Sequence, residues 1–388
     1  MMRPHLRRSW FAVALLVAAA LFVLAACLPG AEGGPGAPAP TPTPQLPLTP
    51  AQPTDPFHLI SWAFTPIFQA LFIILVFVYD VLRDAGVPGA VGFAIIVLTL
   101  AVRVVVIPLV RRQLVSQRRM QMLQPEIREI QRRFKGDAMK SREAQQQLFR
   151  ERGVNPFSGC LPLLLQLPLL FIVYAVIQNG ITNYDPSEML KVFGVQVVPL
   201  ECPAVPELVN GIPKPCIDPI VPWLGNLDVS RPEILFTIPG IEFGISGLAI
   251  VSALLQLVQS RMLLAPVDPE NDDPNARIQR QTMLFLPLIS VVYGGFLPAG
   301  LFIYWIVATV FSIVQQYLIV GWGGMFPFLG WHPAFARDHT PRFPVSVPPP
   351  DLTKRKPGAP VLPDDRTVSA ERTIRPAKRS RDRRGRRR

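Results

Sequence analysis

The sequence predicts an all-α integral membrane protein, on three observations. Hydrophobic residues make up 49% of the chain and the mean hydropathy is +0.31. Several uncharged runs approach the roughly 20 apolar residues that a helix needs to cross a bilayer. The charge is also segregated: the net +12 is concentrated in Arg111 to Arg152 and in Arg366 to Arg388, whereas Ile181 to Glu242 is acidic. Loops rich in Lys and Arg stay on the cytoplasmic side, so the two basic stretches belong inside and the acidic one outside.

Each element follows in order. Arg3, Arg7 and Arg8 precede the apolar stretch Trp10 to Ala26, which ends Leu24-Ala25-Ala26-Cys27. This resembles a bacterial lipoprotein signal, with residues 1–26 removed and Cys27 lipidated on the outer face; an uncleaved signal anchor is the alternative. Residues 27–56, dense in Pro, Gly, Ala and Thr, read as an extracytoplasmic tether. Leu59 to Leu82 is long enough to span, yet a span there would force the next run outward and export the basic stretch. Residues 57–84 are therefore expected as an interfacial helix at the outer face, with Trp62, Tyr79, Asp80 and Arg83 at headgroup level.

Span one, 89–110, then runs inward, and 111–156 forms a basic cytoplasmic helical hairpin. Leu123, Ile127, Ile130 and Phe134 recur at helical spacing as one apolar stripe until Gly136 and Asp137 break the pattern. The second arm, Met139 to Arg152, carries Met139, Leu148 and Phe149. Such a hairpin, with Met120 and Met122, suits contact with anionic lipids, ribosomal RNA or apolar nascent chain, while its stripe zips its own arms.

Span two, 157–179, returns outward to an extracytoplasmic loop, 180–240, whose exported setting permits a Cys202–Cys216 disulfide or two free thiols. Cys160 lies among apolar neighbours. Spans three, four and five are read at 243–263, 283–297 and 301–320, with a cytoplasmic loop at 264–282. The short turn through Pro298 and Gly300 predicts that spans four and five pack as an antiparallel pair. Residues 331–388 read as a basic disordered cytoplasmic tail that binds polyanions, either ribosomal RNA or anionic headgroups. The mature N-terminus is thus expected outside and the C-terminus in the cytoplasm.

Arg103 sits inside the run Val91 to Val110. A charge at that depth costs about 2.5–3.5 kcal/mol on insertion scales and is normally kept where it faces a bundle interior or a wet cavity. The alternative is snorkelling toward Arg111 and Arg112, about 12 Å along the helix. The later spans carry Ser246, Ser252, Gln256 and Gln259, then Ser290, Tyr293, Tyr304, Thr309, Ser312, Gln315 and Gln316. Gln256 and Gln259 share a face, which suits either a wet lining or interhelical hydrogen bonding. Trp305, beside Tyr304, suits a groove wall or an interface belt.

No Asp, Glu, Lys or His lies deep in the five spans, so a proton relay or ion-coupled transporter lacks its titrating parts. With two soft ligands and no nearby His, metal binding is not expected, and no cofactor is. Gly244-Ile245-Ser246-Gly247 matches the short motif of rhomboid proteases. That chemistry needs an embedded His base, and His5, His58, His332 and His339 all fall outside the spans. A passive pore is the other competing reading.

The segments Ile95-Ile96-Val97-Leu98-Thr99-Leu100-Ala101-Val102-Arg103 with Pro108-Leu109, and Leu123-Gln124-Pro125, carry a family resemblance. So do Val154-Asn155-Pro156-Phe157-Ser158-Gly159-Cys160-Leu161-Pro162-Leu163-Leu164-Leu165-Gln166-Leu167-Pro168, Phe296-Leu297-Pro298-Ala299-Gly300-Leu301-Phe302-Ile303-Tyr304-Trp305, and Gln315-Gln316. In this order they resemble the YidC/Oxa/Alb membrane insertases over residues 57 to 322. The resemblance implies five conserved transmembrane helices around a laterally open hydrophilic groove, a cytoplasmic hairpin and an outer interfacial helix. It implies that Arg103 is the groove arginine, and the wettable Gln166, Gln256, Gln259, Tyr304, Trp305 and Gln315 are then candidates to line that groove. It implies no enzyme chemistry: the groove would receive hydrophilic parts of nascent or small membrane proteins and release apolar segments into the bacterial cell membrane. The Sec translocon and the ribosome are the implied partners.

Overall fold

The computed structural model describes residues 56–155, 161–200, 202, 208–209, 212–238, 243–264, 274–326, 331, 333–337, 341–351 and 353. The expected signal, Cys27 and the tether lie outside these, as do Cys160 and the final basic run. The hairpin formed by β3 (Leu208–Val209) and β4 (Ile212–Pro213) stands by itself, and every other described element belongs to a second unit, Pro47–Glu207 with Lys214–Arg388.

That unit is predominantly helical. Its helices are α1 (Pro56–Asp84), α2 (Ala90–Met122), α3 (Gln124–Arg133), α4 (Ala138–Glu151), α5 (Leu161–Ala175, continued by a π-turn over Val176–Ile181), α6 (Gly247–Leu263), α7 (Pro274–Tyr293), α8 (Ala299–Val320) and the short α9 (Ala334–Arg337). Three stretches are long and apolar enough to cross a membrane: Phe64–Asp84 of α1, Ala90–Met122 and Ala299–Val320. Pro168–Ile181 and Gly247–Leu263 are shorter apolar helices.

Several boundaries differ from the sequence reading. The helix that carries span one does not stop at Val110: α2 continues to Met122 through Pro108, and the first basic turns belong to the same helix. Residues 109–122 are mostly good helix formers, and the chain re-initiates only at Gln124-Pro125, where proline suits a first turn. Span three begins as a strand, with the helix starting only at Gly247. Ser246 caps α6, its Oγ accepting from Ala249 N at 3.1 Å and donating to Glu233 Oε2 at 2.6 Å. Span four starts earlier and stops at Tyr293, where Gly294 and Gly295 turn the chain.

Spans four and five, expected to pack as a pair, each pack more on α6 than on one another. Carbonyls of the 180–240 loop hold the turn between them, Arg231 O accepting from Ala299 N at 2.7 Å and Val229 O from Gly300 N at 2.9 Å.

The 180–240 loop also departs from an all-α reading. Besides β3 and β4 it carries the two-stranded antiparallel hairpins β1 (Lys191–Val192) with β2 (Val195–Gln196), β5 (Ile220–Val221) with β6 (Leu227–Asp228), and β7 (Phe236–Ile238) with β8 (Phe243–Ile245). Cys202 and Cys216 are joined as a disulfide. The loop is packed onto the helices: Tyr79 Oη of α1 accepts from Asp218 N at 3.1 Å, and Trp223 lies over Gly89 and Gly92 with its ring 4.8 Å from Phe93. Gly89, at φ 67°, starts α2 in the left-handed region and leaves no room for a Cβ beneath that indole.

One core joins these parts. Phe72, Leu75 and Val76 of α1, Val91 and Ile95 of α2, and Leu301 and Tyr304 of α8 are fully or almost fully buried with Leu190 and Ile217 from the loop. In the spanning helices these side chains exchange lipid for protein, so close packing and not removal from water holds the cluster together. The opposite face of α1 stays exposed and apolar at Ile67, Ile74, Phe77 and Val81, which helical spacing places on one stripe.

Candidate functional site

Arg103 is on α2 about two turns below Ile95, which packs near Gly300, and about three turns above Leu114, which packs with Ile319 and Val320. α2 and α8 therefore run parallel with Arg103 midway along their contact. The side chain is 9% exposed, while Val105, on the far side of the same helix, is 77% exposed. The guanidinium is directed across the bundle and not along its own helix: Nη1 donates to Ser312 Oγ of α8 at 3.2 Å, and Nη2 to Gln166 Oε1 of α5 at 3.4 Å.

Gln166 then donates from Nε2 to the Tyr304 hydroxyl of α8 at 3.2 Å. Ser312 in turn donates to its own helix at Ala308 O, 2.8 Å away. Of the residues singled out in the sequence, Arg103, Gln166, Tyr304 and Ser312 thus form one network across three helices. Thr99, one turn above Arg103, is buried and returns its hydroxyl to Ile95 O at 2.6 Å.

The other sequence candidates do not join it. Gln256 donates to Ser252 Oγ within α6 at 2.9 Å, and Gln259 is half-buried on the same helix. Trp305 is partly buried against the main core, stacked on Phe302 with centroids 6.1 Å apart. Ser246, of the protease-like motif, is fully buried and bonded to a carboxylate as a helix cap.

Gln113 was missed in the sequence, because it follows two arginines and reads as part of the solvated face. It is 3% exposed on α2. Its Nε2 has no partner among the described residues, and neither do Arg103 Nε, Gln315 Oε1 or Gln316 Oε1. An unsatisfied buried polar group costs about 1–3 kcal/mol. The cation itself meets only neutral groups among the described residues.

The family model described as 60Kd inner membrane protein matches residues 83–322. The chain belongs to the 60Kd inner membrane protein family. Similar members include the membrane protein insertase YidC of Wolinella succinogenes, 30% identical over 231 residues, and that of Campylobacter jejuni, 31% identical over 231 residues. Each alignment takes in 60% of this chain and 34% of the relative. The YidC of Methylorubrum extorquens is 29% identical over 238 residues, or 61% of this chain and 33% of that one. The chain therefore matches about a third of the length of these 60Kd family relatives, and the matched stretch holds all four residues of the Arg103 network.

Proposed function

We propose that the chain is a membrane protein insertase, binding hydrophilic parts of small membrane proteins beside Arg103 and releasing their apolar segments sideways into the bilayer. No bond is made or broken in this process. The observation that carries the reading is a buried guanidinium whose described partners are all neutral. A cation without an internal counter-charge attracts an acidic or polar tail and offsets the desolvation of that tail as it leaves water. The bond set of Gln166, Ser312 and Tyr304 orients the charge without cancelling it.

In this reading α1 lies at the outer interface, with its exposed stripe of Ile67, Ile74, Phe77 and Val81 against lipid. The basic hairpin and tail face the cytoplasm of a bacterial cell, where ribosomal RNA and anionic headgroups are their partners. Work beside the Sec translocon belongs to the same proposal, as what the family resemblance implies. Gln256, Gln259, Trp305 and Gln315 are proposed as outer lining that a guest meets after the Arg103 network.

The test is depletion and rescue. This chain is expressed in a bacterium depleted of its own insertase, and entry of a small two-span membrane protein is followed by protease protection. Rescue by the wild type, lost in Arg103→Ala that still reaches the membrane, supports the proposal. Failure of correctly folded wild type would shift the reading to a pore.

A further inference from the structure

The expected disordered tail is in part an ordered strap. Residues 341–351, in the run Phe343-Pro344-Val345-Ser346-Val347-Pro348-Pro349-Pro350-Asp351, lie extended across the ends of α2 and α8 and over the cytoplasmic hairpin. Alternate side chains meet separate places, Val345 and Val347 half-buried and Phe343 44% exposed. Phe343 lies under Arg111 of α2, 5.2 Å from guanidinium to ring. Val345 packs with Leu114, Ile319 and Val320, and Val347 packs onto the hairpin seam of Leu123, Ile127 and Ile130.

Between these side chains the backbone is read directly. Arg119 Nε donates to Ser346 O at 3.1 Å and Arg152 Nη1 to Pro348 O at 3.3 Å. At the two ends the strap donates instead, from Phe343 N to Leu318 O at 3.0 Å and from Asp351 N to Glu151 O at 2.8 Å. The prolines have no N–H to leave unsatisfied and are already extended, so little conformational freedom is lost on seating. Side-chain places at every second residue, with donors aimed at the carbonyls between, are the features of an extended-peptide groove.

We propose that this cytoplasmic face is a peptide-binding groove selective for an extended, proline-rich chain with alternate apolar residues. In the resting protein the chain's own residues 343–351 occupy it and clamp the hairpin to the ends of α2 and α8. The strap touches α2, α8 and both arms of the hairpin, so its occupancy sets how far the hairpin swings.

The test uses the full chain in lipid nanodiscs and follows amide hydrogen exchange over Gln124–Glu151. In the double variant Val345→Asp/Val347→Asp, and more weakly in Arg119→Ala, hairpin exchange accelerates, by about tenfold for the double variant. Added synthetic peptide of residues 341–353 restores protection to the double variant, and the same peptide carrying the two aspartates does not. Unchanged exchange in both variants would overturn the proposal, and so would acceleration that the wild-type peptide leaves unreversed. Protection around Arg103 serves as the folding control and stays at its wild-type level.

Discussion

Two buried arginines in this molecule meet opposite fates. Arg152, 5% exposed at the end of the basic hairpin, places Nη2 3.1 Å from both oxygens of Glu126. Arg103, 9% exposed within the bundle, has only a serine and a glutamine as described partners. The hairpin neutralises its charge and uses it to join α3 to the end of α4. The bundle orients its charge with neutral partners. Burial alone therefore does not separate the two arginines, but the charge of their described partners does.

The largest expected effect tests the structural half. Glu126→Ala leaves Arg152 buried without its carboxylate, and breaking one side of a buried pair costs about 3–5 kcal/mol. Hydrogen exchange of α3 and α4 reports that loss, while Arg103→Ala leaves the hairpin unchanged. Equal sensitivity of the hairpin to both substitutions would erase the contrast.

The disulfide comes next. Its Cys202–Cys216 ring spans a sequence separation of 14, and a loop of about that size is stabilised by roughly 3 kcal/mol. Cys202→Ser/Cys216→Ser is expected to loosen the outer loop, read as faster proteolysis there, without altering exchange near Arg103. A smaller effect belongs to the α6 cap. Ser246→Ala removes the acceptor for Ala249 N, at a cost of about 0.5–2 kcal/mol by thermal unfolding, and retained insertion in that variant separates the cap from any catalytic role.

The smallest effect is set by pH. Asp137 caps α4, and its carboxyl is held below the usual carboxylate range by the hydrogen bond from the Lys140 backbone N–H and then by the Lys140 side chain. Because the folded pKa is depressed, this stabilisation is present above the unfolded value near 3.9 and fades as pH falls through the folded one. Exchange at the start of α4 is expected to quicken below about pH 4 in wild type and to lack that step in Asp137→Asn.

Much of the helical layout was legible because hydropathy and charge act over whole segments. The stripe of Leu123, Ile127 and Ile130 was readable at helical spacing, and it does close the hairpin's own arms. What was not legible depends on single contacts between distant residues. Ser246 looked like a motif until Glu233, 13 residues earlier, made it a cap. Gln113 looked solvated because its neighbours are charged. The strap looked disordered because its composition is poor in core residues, yet alternate valines and bare carbonyls suffice where a groove already exists. At the site, Arg103 stood out by its cost, but its meeting with Gln166, Tyr304 and Ser312 depends on how three helices rotate, which no local pattern encodes.

The central claim is that the Arg103 charge acts on the client. Its most direct measurement is an insertion cycle pairing wild type, Arg103→Lys and Arg103→Ala with one small client whose translocated tail is either acidic or neutral. The account predicts that Arg103→Ala slows the acidic-tailed client about tenfold more than the neutral one, and that Arg103→Lys recovers most of the difference. Equal slowing of both clients, or none, would contradict it.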